Sequence, residues 1–179
     1  SSILKLQTAT TLSSSNPVSF GNVNFEGNVL TLGSASTHLK ITDTALSLGG
    51  LSLETGPGSL SLSGALSLSN QARLNSSGGI ITLESGGSVA GGSTLSLPNT
   101  TLVLQSPLAI ASSTLKASNT TFTTNSNALT LSGSTLDIAG TQNLSGVVPD
   151  STSILRLTGD STVNDSSVLS VYSLELEDY

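Results

Sequence analysis

From Leu46 to Ser69 the chain reads LSLGGLSLETGPGSLSLSGALSLS, pairs of Leu flanking one small polar residue, with Gly at the breaks. In extended backbone alternate residues point to opposite faces. Leu46/Leu48, Leu51/Leu53, Leu60/Leu62 and Leu66/Leu68 therefore each set two branched side chains on one face and a Ser on the other. The pattern predicts strands of about three residues. A helix cannot use this spacing, because such pairs fall at every angle around a 3.6-residue period and the intervening Gly and Ser are poor helix formers.

The pairs recur along the chain, and every third pair matches best. One column aligns Leu30/Leu32, Leu51/Leu53, Ala72/Leu74, Leu95/Leu97, Leu115/Ala117, Leu136/Ile138, Leu155/Leu157 and Leu174/Leu176. A second aligns Val18/Phe20, Leu39/Ile41, Leu60/Leu62, Ile81/Leu83, Leu102/Leu104 and Phe122/Thr124. A third takes Val23/Phe25, Leu46/Leu48, Leu66/Leu68, Val89, Leu108/Ile110, Leu129/Leu131, Val148 and Leu169/Val171. Three short strands per turn of about 21 residues predict an all-β fold, a single parallel β-helix (β-solenoid) of about eight triangular coils spanning residues 1–179. Each strand would pair in parallel with its counterpart one turn on, and stacking would make the core that no single turn can bury. Gly33, Gly49, Gly50, Gly64, Gly133, Gly140 and Gly159 fall just after strand ends, where corners call for unusual φ.

The outward residues of the first column end Lys116, Asp137, Arg156, Glu175, alternating in sign, and such a ladder would pair opposite charges on neighbouring rungs. The grammar of coils such as LTLSGSTLDIAG at 129–140 resembles the right-handed parallel β-helices of filamentous-haemagglutinin-like adhesins and autotransporter passenger domains. That resemblance, one of architecture over nearly the whole chain, implies a secreted or surface-displayed adhesive rod. Right-handedness is expected from it and from the usual crossover preference of parallel sheets.

Composition narrows the function. Ser and Thr supply 59 of the 179 residues, but the regular aliphatic positions distinguish the chain from a disordered Ser/Thr stalk. With no Cys there are no disulfides or thiolate metal sites, and a single His, His38, offers little to zinc, so no cofactor is expected. A net charge of −6 with five basic residues argues against nucleic acid as a partner, and no apolar run is long enough to span a membrane. The chain begins in strand pattern at Ile3-Leu4-Lys5-Leu6, without Met or a signal peptide, as a mature or excised fragment would.

The expected function is therefore an extracellular or cell-surface structural rod, not an enzyme, whose partners are surface glycans, other cells or further copies of itself. A polysaccharide-binding or -cleaving β-helix is the alternative; such folds gather carboxylates with Lys or Arg in one groove. Here Glu54 and Arg73 lie on adjacent turns, and Asp150, Asp160 and Asp165 share the least regular coil. An ice-binding solenoid, which needs regular outward Thr, fits less well because Thr-x-Thr is sporadic. Sequons at Asn75, Asn99, Asn119, Asn143 and Asn164 are candidate glycosylation sites, spaced by nearly one coil. A solenoid has two open edges, and Lys5 near the start could meet Glu175, Glu177 or Asp178 of another copy in a head-to-tail contact.

Overall fold

The computed structural model describes residues 2–43, 45–164 and 169–177. All the regular structure described is β, and every strand pairing is parallel. The chain is a β-solenoid whose turns contribute to three stacked sheets. The longest has nine strands, in the order Thr10–Leu12, Leu30–Leu32, Ser52–Gly56, Arg73–Ser76, Thr94–Ser96, Thr114–Ser118, Thr135–Asn143, Ile154–Asn164 and Ser173–Glu177, which makes eight rung-to-rung steps. One six-stranded sheet runs from Val18–Phe20 to Thr121–Thr123, the other from Leu46–Gly49 to Val147–Pro149. Ile3–Lys5 and Asn22–Asn24 form a separate two-stranded sheet.

The core is a stack of aliphatic ladders. Leu53, Leu74, Leu95, Leu115, Leu136, Leu155 and Leu174 are consecutive in-register partners, and all but Leu174 are buried. In the second column Val18, Leu39, Leu60, Ile81, Leu102 and Phe122 stack as the spacing predicts. In the third, Leu46, Leu66, Gly87, Leu108 and Leu129 do the same, and Val147 continues the stack.

Five details of the expected columns differ. Leu30 pairs with Leu53, not Leu51, and Leu74 pairs with Leu95, not Leu97. A slip of two residues keeps every side chain on its face, so hydrophobicity alone cannot see it. Val148 points outward beside Thr130 and is 52% exposed, while Val147 and Pro149 face the core on Leu129 and Leu131. Val23 and Phe25 are buried but belong to the turn that pairs with Ile3–Lys5, outside the six-stranded sheet. Leu169 and Val171 pack on the core without forming a strand.

Corners carry the second surprise. Gly50, Gly133, Gly140 and Gly159 take positive φ, but Gly33 and Gly49 do not, and Asn70, Asn99, Ser112 and Asn119 take it instead. The residue after such a corner is often a buried hydroxyl. Ser93, Ser113, Ser134 and Ser153 stack at one corner, where Ser134 Oγ donates to Ser132 O (2.9 Å) and Ser153 Oγ to Asp150 Oδ1 (3.0 Å). These hydroxyls thus find hydrogen-bond acceptors within the corner itself, a backbone carbonyl for Ser134 and a carboxylate for Ser153, so that none is buried without a partner.

Candidate functional site

The outer face of the nine-stranded sheet holds the ion pairs of Lys116 and Arg156. Because the register is fixed, its central outward column reads Thr31, Glu54, Asn75, Ser96, Lys116, Asp137, Arg156, Glu175. Lys116 Nζ lies 3.8 Å from Asp137 Oδ2, and Arg156 Nε donates to Glu175 Oε2 at 3.0 Å, with Glu177 Oε1 at 3.3 Å. The hydrogen bond that Arg156 donates to Glu175, with the charges of Glu177 and Asp137 behind it, raises the pKa of the Arg156 guanidinium above its ordinary value. Further down the column Asn75 Nδ2 donates to Glu54 Oε1 at 2.7 Å.

A second outward column runs beside the first through the paired residues Ser52, Arg73, Thr94, Thr114, Thr135 and Ile154. On the other side stand Ser118, Ala139, Thr158 and Glu177, also in register. Between these columns lie two depressions. One, of about 280 Å³, is lined by Arg73, Asn75, Thr94, Ser96 and Lys116. The other, of about 290 Å³, is lined chiefly by Ser96, Pro98, Lys116, Ser118, Asp137 and Thr158. They share Ser96 and Lys116 and so form one shallow trough across successive rungs.

Arg73 is the trough residue that the sequence columns misplaced. They set it in the central column, whereas it lies in the flanking one, between Ser52 and Thr94, and Glu54 faces Asn75 instead. The signal that could have found it is the corner rule. Ala72 is buried in the sequence position that Ser93 takes one turn later, and aligning these two residues moves the whole rung by two.

The five sequons sit in three different settings. Asn75 is half-buried in a strand and tied to Glu54. Asn99 and Asn119 are exposed corner residues at φ 52° and 51°, with Asn119 Nδ2 3.4 Å from Asn99 Oδ1. The Thr after each is buried: Thr100 Oγ1 donates to Ser76 Oγ at 2.8 Å, and Thr120 Oγ1 donates to Leu97 O. Asn143 and Asn164 are exposed in-register partners, and Asn143 Oδ1 accepts from Ser145 N at 2.9 Å.

Of the proposed end contacts, Lys5 lies in the two-stranded sheet, whereas Glu175 and Glu177 lie on the last strand of the nine-stranded sheet, and Asp178 falls outside the described residues. Asp150 is engaged at its own corner, its Oδ1 accepting from Thr152 N (2.9 Å), Thr152 Oγ1 (2.6 Å) and Ser153 Oγ. These bonds, led by the one from Thr152, hold its carboxyl well below the usual carboxylate range. Asp160 and Glu177 line a separate depression of about 640 Å³ at the last turns, and Asp165 falls outside the described residues. His38 Nε2 lies 2.9 Å from Ser61 Oγ. Among the described residues no three His, Asp or Glu side chains gather as a metal site.

Comparison of the chain with known protein families, curated proteins and solved structures finds no match.

Proposed function

We propose that the chain is a non-enzymatic structural and adhesive β-solenoid that acts outside the cell or at its surface, as a stiff rod for attachment, biofilm or cell-cell contact. The observation that carries this reading is the uninterrupted nine-stranded parallel sheet, which spans the stack from Thr10 to Glu177 over a continuous Leu core. At a rung spacing of about 4.8 Å the sheet is about 40 Å long. Four of its outward charges, Lys116 with Asp137 and Arg156 with Glu175, are matched between neighbouring rungs, an arrangement that serves register. Further segments or copies would continue the rod by stacking on its ends. Tyr172, Leu174 and Leu176 are exposed on or beside the last strand, and Ile3 is exposed on the first.

Beads coated with the folded chain should clump together or hold to a cell layer, and beads coated with an unfolded Leu115→Asp variant should not. Equal behaviour of the two coatings would count against an adhesive rod. Release of reducing ends from any polysaccharide, above a heat-killed control, would replace this reading with an enzymatic one.

A second reading, polysaccharide binding, is favoured by the trough. It is open, crosses successive rungs, and is lined by Ser and Thr hydroxyls, the Asn75 amide and the charged groups of Arg73, Lys116 and Asp137, all able to hydrogen-bond sugar hydroxyls.

A further inference from the structure

Resting on that second reading, we propose that the trough takes a linear acidic polysaccharide with a carboxylate on every second sugar, and that Arg73 and Lys116 are its two anion-binding positions. Arg73 and Lys116 both line the depression nearer the start of the chain. The strands that carry them are separated by one intervening strand, Thr94–Ser96, hence by two rung steps. Two steps are about 10 Å along the rod, and the two columns lie two residues, about 6.6 Å, apart across it, so the attachment points are about 12 Å apart, within reach of two long side chains. A saccharide chain advances by a step comparable to one rung per sugar, so acids on alternate sugars reach both cations while the sugar between them lies over Thr94 and Ser96.

The charges around the trough favour these two residues as anion ligands. Lys40 is held 3.6 Å from Glu84 on another sheet, and Arg156 is held by both Glu175 and Glu177. Arg73 is exposed and forms no ion pair among the described residues, and its in-register neighbours Ser52 and Thr94 are neutral. Lys116 meets Asp137 only at 3.8 Å, and its side chain remains 54% exposed. Two acids stand close by. Glu54 is turned to the Asn75 amide, and Asp137 lines the adjoining depression and not the one that Arg73 and Lys116 share, so neither acid stands between the two cations. The guanidinium of Arg73 supplies the fork that a carboxylate accepts in two hydrogen bonds, while Lys116 supplies a point charge.

The test is a titration of the folded chain with three hexasaccharides: alternating glucuronate and N-acetylglucosamine, all-galacturonate, and neutral cellohexaose. The alternating acid should bind more tightly than cellohexaose, and no less tightly than the all-acid chain. Arg73→Gln and Lys116→Gln should each weaken it by about tenfold, one charge-assisted contact's worth. Lys40→Gln, on another sheet, should leave it unchanged. An equal loss in Lys40→Gln reduces the effect to net charge and overturns the proposal. If cellohexaose binds the wild type and Arg73→Gln equally well, and as tightly as the acid does, glycan binding stands and the acidic ligand falls. If none of the three binds, the second reading falls and takes this one with it.

Discussion

Ser and Thr do two different jobs in this chain, and the place where the backbone turns decides which. On strands most face outward, as Ser47 and Ser67 do in register, although Thr55 and Ser76 face in; just after corners they turn in, as Thr100, Thr120 and Ser134 do. The first role follows from the alternation of Leu with Ser. The second was not legible, because an Asn-Thr pair reads equally as a sequon or as a corner. What separates the readings is the positive φ at Asn99 and Asn119, a property of three dimensions. Gln142 is the exception among the buried polar residues: its side-chain oxygen and nitrogen have no hydrogen-bond partner among the described residues, although its surface is fully covered. A buried amide left so costs about 1–3 kcal/mol. Gln142→Leu, similar in bulk and apolar, should therefore raise stability by about that amount, read as a higher urea midpoint at unchanged slope. Asp150 supplies a pH prediction. Its carboxyl titrates lower in the folded chain than the ordinary value of about 4 expected when unfolded, so its stabilisation is present above that value and is lost as pH falls toward the folded one. Asp150→Asn should lose stability at neutral pH and show a shallower decline below pH ~4, as followed by thermal melts across pH.

At the scale of the strand, the period was readable and the register only partly so. Column two fell into place, and column three did so from Leu46 to Leu131, because each rung there offers few alternative partners, whereas its ends at Val23/Phe25, Val148 and Leu169/Val171 did not. The first column slipped by two at Leu53 and Leu74, since both Leu51/Leu53 and Leu53 with its neighbour Thr55 present an inward pair. The Lys116, Asp137, Arg156, Glu175 order was read correctly as a column because those rungs carry longer strands with unambiguous partners. Core and charge should weigh very differently here. Leu115 is fully buried between Leu95 and Leu136, so Leu115→Ala should cost about 2–5 kcal/mol. Lys116→Ala, next to it, removes a partly exposed pair at 3.8 Å and should cost about 1 kcal/mol. Chemical denaturation of both variants checks the contrast, and comparable losses would mean that the ladder of charges, and not the Leu stack, holds the register.

For the whole molecule, a solenoid is a one-dimensional object in which each turn touches only the turns beside it. Its stability is then the sum of the turns and the interfaces between them, and a weak turn divides the rod instead of weakening it everywhere. The structure marks where the weak end lies. Leu157 is only partly buried, and Leu174 and Leu176 are 56% and 73% exposed, whereas Leu53, Leu74 and Leu95 are fully covered. Gln142 sits in the same late coils. Backbone amides of the Leu53, Leu74, Leu95 and Leu115 rungs should therefore exchange with solvent slowest, and those of Ser173–Glu177 fastest. Substituting Leu95→Ala in the middle should widen the denaturation transition, as the two halves come apart at different denaturant concentrations. Leu155→Ala, near the end, should speed exchange in the last two rungs and leave the central ones as protected as before. Hydrogen exchange read rung by rung distinguishes this from an all-or-none domain, in which Leu155→Ala would lower protection equally from Leu53 to Leu136.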